Sequence, residues 1–341
     1  MTTEDRPALS IVVTGRNDDY GRDFTARFIR TLAFNHHALT ERGVTHEVVL
    51  VEWNPVAGKP FLTDIIRDAL PHIAQTTLRS LIVDAAYQSA CTQNPKLNFL
   101  EYLAKNVGVR RSHGDFVLAT NTDIFFSRGL AQRLARSDLK VGTVYRAKRV
   151  DVKLGVDESR IGWDVLEESS NHVPRGEISP PLYQGAAGDF MLLDRESFHA
   201  VKGFNEVYRL ARLAVDHNFL VKAYSHGLPI ADIGSPVYHV SHIGSYQLSK
   251  NSLSVGQAEA LWGARWHNKE VIYDNPETWG LSEAPVRQRD DRTTYLEFDW
   301  NAVPKLADLR RVVLPISRTA TPAGHRVAPP QTPSDTTPPS P

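Results

Sequence analysis

Four short runs in this chain are apolar with little polar alternation. They are Leu9 to Thr14 (LSIVVT), His46 to Glu52 (HEVVLVE), Leu78 to Val83 (LRSLIV) and Phe116 to Ala119 (FVLA). A strand with one wet face alternates apolar and polar residues. A run that does not alternate is buried on both faces, as in a parallel sheet covered by helices. The segments between the runs have helical spacing. Asp23 to Thr40 carries Phe24, Phe28 and Leu32 four apart and is closed by Gly43. Phe61 to Leu70 is a short helix before Pro71, residues 84–96 read as irregular, and Asn98 to Ser112 places Leu100, Leu103, Val107 and Val109 among basic residues. The order β-α-β-α-β-α-β predicts an α/β fold: a doubly wound, mostly parallel sheet with helices on both faces.

In such a sheet the carboxyl ends of the strands share one edge, and ligands bind there. Three ends are polar: Thr14 with Arg16, Glu52 with Asn54, and Thr120-Asn121-Thr122-Asp123. The last lies inside Asp115 to Ser127 (DFVLATNTDIFFS), which turns polar and then returns to Ile124-Phe125-Phe126. Asp123 taken alone suits a turn as well as a ligand site. Three polar ends on one edge favour a cleft.

Further on, the patterns predict a helix over Gly129–Arg136, a long strand over Val141–Asp151, and an insertion or lid over Leu154–Pro181. A strand follows at Gly188–Leu193, helices at Arg195–Lys202 and Leu213–Ser225, a strand at Pro236–Ser241 and a helix at Ser254–His267. No element is assignable beyond Asn268. Seven of the last 24 residues, from Arg318, are proline, so residues 318–341 are expected to be disordered. Residues 1–8 read as an extension. Residues 9–267 read as the main domain, divided at 127/128, and residues 268–317 as a C-terminal extension.

Lys plus Arg equals Asp plus Glu at 39 each, so no net charge draws the chain to nucleic acid. Cys91 is the single cysteine, which rules out a disulfide framework or a thiolate zinc cluster. No run approaches a membrane span, and Met1 to Pro7 has no apolar signal region, so the expectation is a cytoplasmic protein, with peripheral membrane association open. GRNDDYG (Gly15 to Gly21) lacks the dinucleotide spacing, and neither a P-loop nor a nucleophile elbow is present.

Four segments in order, spanning Ser10 to Tyr246, resemble GT-A glycosyltransferases, closest in pattern to family 2. They are IVVTGRNDD, KNVGVRRSHGDFVLATNTD, GAAGDFMLLDRESFHAVKGFNE and AVDHNFLVKAYSHG. The resemblance implies a GT-A, Rossmann-like domain with a nucleotide-sugar half over 9–127 and an acceptor-side half over 128–267. It also implies a nucleotide-diphosphate sugar donor, a glycan or other hydroxyl acceptor, and a divalent cation, Mn2+ or Mg2+. Two positions depart from the family pattern. Asn121 stands where the metal motif usually begins with Asp, and Val215 stands where the catalytic helix usually has Glu.

Carried over residue by residue, the resemblance makes Asp123 the first metal ligand and either His239 or His242 the second, with His242 in HIGS the better match. Strand alternation would separate the two histidines and leave at least one as a core residue. Asp216 is implied as the general base of an inverting displacement, although a helix-start Asp also serves as a cap. Asp189 is its rival and a candidate for holding sugar hydroxyls. Thr14, Arg16 and Glu52 are implied donor contacts, with Asn106, Asn121 and Thr122 as additions. Arg146 and Arg149 suit phosphate or simple surface charge. Trp262 and Trp266 suit sugar stacking or core packing. Two alternatives stay open: a catalytically silent nucleotide-sugar or glycan-binding protein on the same fold, and a nucleotidyltransferase.

Overall fold

The computed structural model describes residues 6–153, 161–174, 176–209, 215–242, 271–305 and 310–313. The expected helix over Ser254–His267, with Trp262 and Trp266, and the tail from Arg318 lie outside the described residues.

Strands β1 (Leu9–Gly15), β2 (His46–Trp53), β3 (Leu78–Val83) and β4 (Phe116–Thr120) are parallel, in spatial order β3-β2-β1-β4. They are joined by α1 (Phe24–Thr40), α2 (Leu62–Ala69), α3 (Pro71–Thr76), α4 (Ala86–Cys91) and α5 (Glu101–Arg110). The unalternated strands feed two cores. Ile11 and Val13 of β1 join an apolar layer with Phe24, Phe28 and Leu32 of α1. Val12 joins the opposite layer with Leu103 and Val107 of α5. Side chains still alternate, but between one core and the other rather than between core and water.

Helix α5 lies against the sheet through Gly108. A Cβ there would stand 2.5 Å from Val12 Cγ1 and 3.0 Å from Val51 Cγ2. Gly108→Val is therefore expected to destabilise the fold by overpacking, on the order of 1–3 kcal/mol. A urea melt with an unchanged midpoint would show that the helix can retreat without cost.

The chain continues through β5 (Ile124–Phe126), α6 (Arg128–Ala135), β6 (Val144–Arg146), β7 (Arg149–Val152), α7 (Trp163–Glu167) and β8 (His172–Val173). It then forms β9 (Phe190–Asp194), α8 (Arg195–Ala200), α9 (Val215–Ser225), β10 (Ile230–Asp232) and β11 (Val237–Val240). The last described elements are β12 (Val271–Asp274), β13 (Val286–Asp290), β14 (Thr293–Leu296) and β15 (Arg310–Val313). The central sheet has the order β10-β6-β9-β4-β1-β2-β3-β14-β13, and β9 is antiparallel to both β4 and β6. A second sheet has the order β5-β11-β7-β8, and β12 pairs with β15.

Three features differ from the sequence expectation. The long strand over Val141–Asp151 is two strands in two sheets. It crosses at Ala147-Lys148, and β10-β11 crosses beside it: Ile233 N donates to Arg146 O and Val237 N to Lys148 O. Paired strands that bend together keep their hydrogen bonds through the crossing. Residues 84–96 contain α4, whose six residues are too few to show a period. Beyond Asn268 the chain returns to the central sheet, where β14 runs parallel to β3 and Trp279 is buried. Among the described residues, no helix is long and apolar enough to cross a membrane.

Candidate functional site

The chain leaves β1 toward β2 on one side, and β4 lies on the other. The carboxyl ends of β1 and β4 therefore diverge, which opens a crevice at the switch point of the sheet. A cleft of about 850 Å3, open solvent at its mouth included, lies there. Thr14 and Arg16 line it from the end of β1, Asn121, Thr122 and Asp123 from the end of β4, and Arg149, Asp189, His239 and His242 from the chain beyond residue 128.

Asp123, His239 and His242 converge, each offering a ligand atom within 4.8 Å of the others. His242 Nε2 lies 3.2 Å and His239 Nε2 3.7 Å from Asp123 Oδ2. The strand register explains half of this. His239 on β11 pairs with Ile124 of β5 on one side and with Asp151 of β7 on the other. The alternation argument that would separate the two histidines fails because β11 ends at Val240, and Ser241-His242 follows as non-strand chain. Burial opposes the charge on Asp123. The facing His239 and His242 rings nevertheless hold its carboxyl well below the usual range. It is ionised at neutral pH.

These residues fit a divalent cation. One carboxylate and two imidazoles form a compact donor set, and an outer partner already orients one ring. His239 Nδ1 donates to Asp151 Oδ1 at 2.9 Å, which leaves Nε2 facing Asp123. Asp151 is fully buried. Asp151→Asn is expected to weaken Mn2+ affinity by about 10–100-fold, as losses of such outer partners do. Calorimetric titration checks this; an unchanged affinity would assign Asp151 to packing alone.

A chain of polar contacts leads away from this triad. Arg149 sets one guanidinium nitrogen 2.9 Å from Asp151 Oδ1 and donates another to Asp189 Oδ2 at 2.6 Å. Asn121 Nδ2 donates to Asp189 Oδ1 at 2.7 Å, and Asn121 Oδ1 accepts from Lys105 Nζ at 2.8 Å. Lys105, fully buried, also donates to Glu101 Oε1 and to Gly188 O. This accounts for Asn at a position where the resembled family uses Asp. The amide offers an acceptor to an ammonium and a donor to a carboxylate, whereas an Asp would press a second carboxylate against Asp189. Four carboxylates (Glu101, Asp123, Asp151, Asp189) against two cations (Lys105, Arg149) leave the cluster two negative charges in excess.

Other sequence-implied residues stand elsewhere. Glu52 is 1% exposed and does not line the cleft. Its Oε2 accepts from Leu62 N at the start of α2, where Phe61 has no capping side chain. Burial raises the Glu52 carboxyl to about 7. Asn106 is also fully buried: it accepts from Phe204 N and donates to Phe204 O and Glu206 Oε1, pinning the turn after α8. Arg146 donates to the carbonyls of Tyr183, Gly185 and Ala187, so it shapes that loop rather than presenting a phosphate fork. Asp216 sits in the first turn of α9, half-buried, with Oδ2 accepting from Gly188 N at 2.9 Å. It stands beside the Gly188–Asp189 step and not among the cleft-lining residues. Val215 is buried in the apolar layer with Phe219, a place where a carboxylate would be desolvated. Lys105, Asp151 and Tyr20 had no sequence signal; the Tyr20 ring meets His242 edge-on at 5.8 Å.

No protein-family model matches the chain, and no curated protein matches it in sequence. Solved structures do align with it. The mannosyltransferase PcManGT from Pyrobaculum calidifontis, in complex with GDP-Man and Mn2+, is 17% identical with a TM-score of 0.44 over 71% of this chain and 59% of its own. GalNAc-T7, with UDP, GalNAc and Mn2+, is 12% identical with a TM-score of 0.47 over 78% of this chain and 50% of its own. The inositol-1-phosphate CTP transferase from T. maritima is 11% identical with a TM-score of 0.39, over 76% and 98%. Likenesses at this level carry no argument about activity; the residues of the cleft do.

Proposed function

We propose that the chain is a metal-dependent glycosyltransferase that moves a sugar from a nucleotide-diphosphate donor to an acceptor hydroxyl, with inversion at the anomeric carbon. The observation that carries this reading is the Asp123–His239–His242 triad, set at the sheet's switch point in a cleft lined by more carboxylates (Asp18, Glu101, Asp123, Asp189) than guanidinium groups (Arg16, Arg149). Such a cleft repels a diphosphate unless a cation is present. Asp123, His239 and His242 would hold Mn2+ or Mg2+, and two imidazoles among three ligands favour Mn2+. The bound ion supplies Lewis-acid neutralisation of the diphosphate leaving group.

The chain's own residues divide the remaining work. Thr14, Arg16 and Thr122 line the cleft where nucleotide and phosphates would lie. Both oxygens of Asp189 already accept hydrogen bonds, from Asn121 and Arg149, so it orients hydroxyls. The proton-accepting role is assigned to Asp216, beside the Gly188–Asp189 step, on the resemblance of its helix to the family's catalytic helix. As the acceptor oxygen bonds to the anomeric carbon and the bond to the diphosphate breaks, the hydroxyl proton passes to the Asp216 carboxylate. The start of α9 favours a negative charge at that position.

The test incubates the protein with a panel of nucleotide sugars, with Mn2+ and with a chelator. Release of nucleoside diphosphate only with metal supports transfer. Pyrophosphate formed from a nucleoside triphosphate and a sugar phosphate would make the chain a nucleotidyltransferase. Donor binding without turnover would make it a silent binding protein. Asp216→Asn is expected to abolish turnover while leaving nucleotide affinity nearly intact; substantial remaining activity moves the proton acceptor elsewhere.

A further inference from the structure

A second histidine cluster lies outside the cleft. His36 of α1, His46 at the start of β2 and His72 of α3 come from three elements, which tertiary packing brings together. His36 Nδ1 lies 3.1 Å from His46 Nε2. The ring centroids of His36 and His46 are 5.1 Å apart, and those of His36 and His72 are 6.4 Å apart. His46 Nδ1 lies 2.9 Å from Val44 O, an acceptor, so that nitrogen carries the hydrogen. The His46 lone pair is therefore on Nε2, directed at His36. A backbone carbonyl fixing one nitrogen while the other faces a shared point is how proteins orient metal-binding imidazoles.

We infer that His36, His46 and His72 form a second transition-metal site, taking Zn2+ or a similar imidazole-preferring ion and tying α1, β2 and α3 together. Bonds of about 2.0–2.1 Å to a tetrahedral Zn2+ separate two ligand nitrogens by roughly 3.3 Å. The observed 3.1 Å is close to that separation, and the two rings, now aimed at one another in a hydrogen bond, would swing so that both lone pairs meet an ion beside the line between them. His36 would bind through Nδ1 and His46 through Nε2. His72 is exposed and turns about its side-chain torsions to supply a third nitrogen, with water completing the shell. The rings are ready for this at neutral pH. Burial, and then the neighbouring His46, His72 and His37, lower His36 to about 4, and burial lowers His46. An all-imidazole site suits Zn2+, Ni2+ or Cu2+ and not Mg2+, so it would discriminate against the hard ion that the cleft tolerates.

The test separates this site from the cleft by removing two of the three cleft ligands. Zn2+ is titrated calorimetrically into the Asp123→Ala/His242→Ala chain. One equivalent is expected to bind and to raise the melting temperature, since an ion that binds only the folded state stabilises it. Adding His46→Gln is expected to abolish that binding. No binding in the double variant, or binding that survives His46→Gln, would overturn the site. Should the double variant not fold, the full wild-type chain is treated with diethyl pyrocarbonate with and without Zn2+. Mass spectrometry should then find His36, His46 and His72 protected by the metal, and equal labelling in both conditions would overturn the inference. Neither readout depends on sugar transfer.

Discussion

Asp123→Ala should raise the Mn2+ concentration required for nucleoside-diphosphate binding by about 100-fold or more, beyond what loss of an outer partner costs. The reason is electrostatic as much as geometric. Asp123 supplies the only charged donor of the triad, and two imidazoles alone hold a hard cation weakly. Without the ion, a diphosphate in the cleft would meet Asp18, Glu101 and Asp189 against Arg16 and Arg149, and both guanidinium groups already pair with carboxylates. Nucleotide affinity and turnover should therefore fall together. Wild-type protein with a chelator should reproduce the variant. Calorimetry of a nucleoside diphosphate at graded Mn2+ makes the measurement, and an unaltered metal response in the variant would take Asp123 out of the metal site.

Lys105→Met is expected to produce the largest loss of stability. The ammonium is fully buried and satisfies Glu101 Oε1, Asn121 Oδ1 and Gly188 O at 2.8–2.9 Å. Methionine matches much of the shape and none of the donors, so Glu101 would lose this ammonium while its carboxylate stays buried. Breaking a buried pair from one side costs about 3–5 kcal/mol. For a domain of this size that is a fall of roughly 5–15 °C in melting temperature. Glu101→Gln added to Lys105→Met should restore part of the loss, because the buried negative charge goes with it. If the double variant melts no higher than the single, Glu101 is not the group left stranded.

The parts of this molecule visible in its sequence are those governed by local period. The unalternated runs gave β1 to β4 and placed Thr14, Arg16 and Asp123 on one edge, because burial on both faces leaves its mark within a few residues. The family resemblance added His239 and His242. What stayed hidden depends on contacts between distant segments. Asp151 orients His239 across 88 positions, and Lys105 reaches Gly188 across 83. Neither belongs to a motif. Glu52 and Asn106 misled for a related reason: a polar residue at a strand end or within a helix looks alike whether it faces a ligand or satisfies buried backbone. Here Leu62 N and the Phe204 turn claim them. The division of Val141–Asp151 into two strands was equally invisible, because it is a companion strand, β10-β11, that bends with it.

That division has a further consequence. Asp151 and His239 ride on the four-stranded sheet, whereas Thr14 and Arg16 belong to the end of a strand of the nine-stranded one. Asp123 sits at the junction, between the last residue of β4 and the first of β5. On the proposed function, substitutions accumulating in the smaller sheet would alter which ion is preferred without disturbing the wall proposed to meet the nucleotide. Descendants of this chain could change metal and keep donor, or change donor and keep metal, along separate mutational routes.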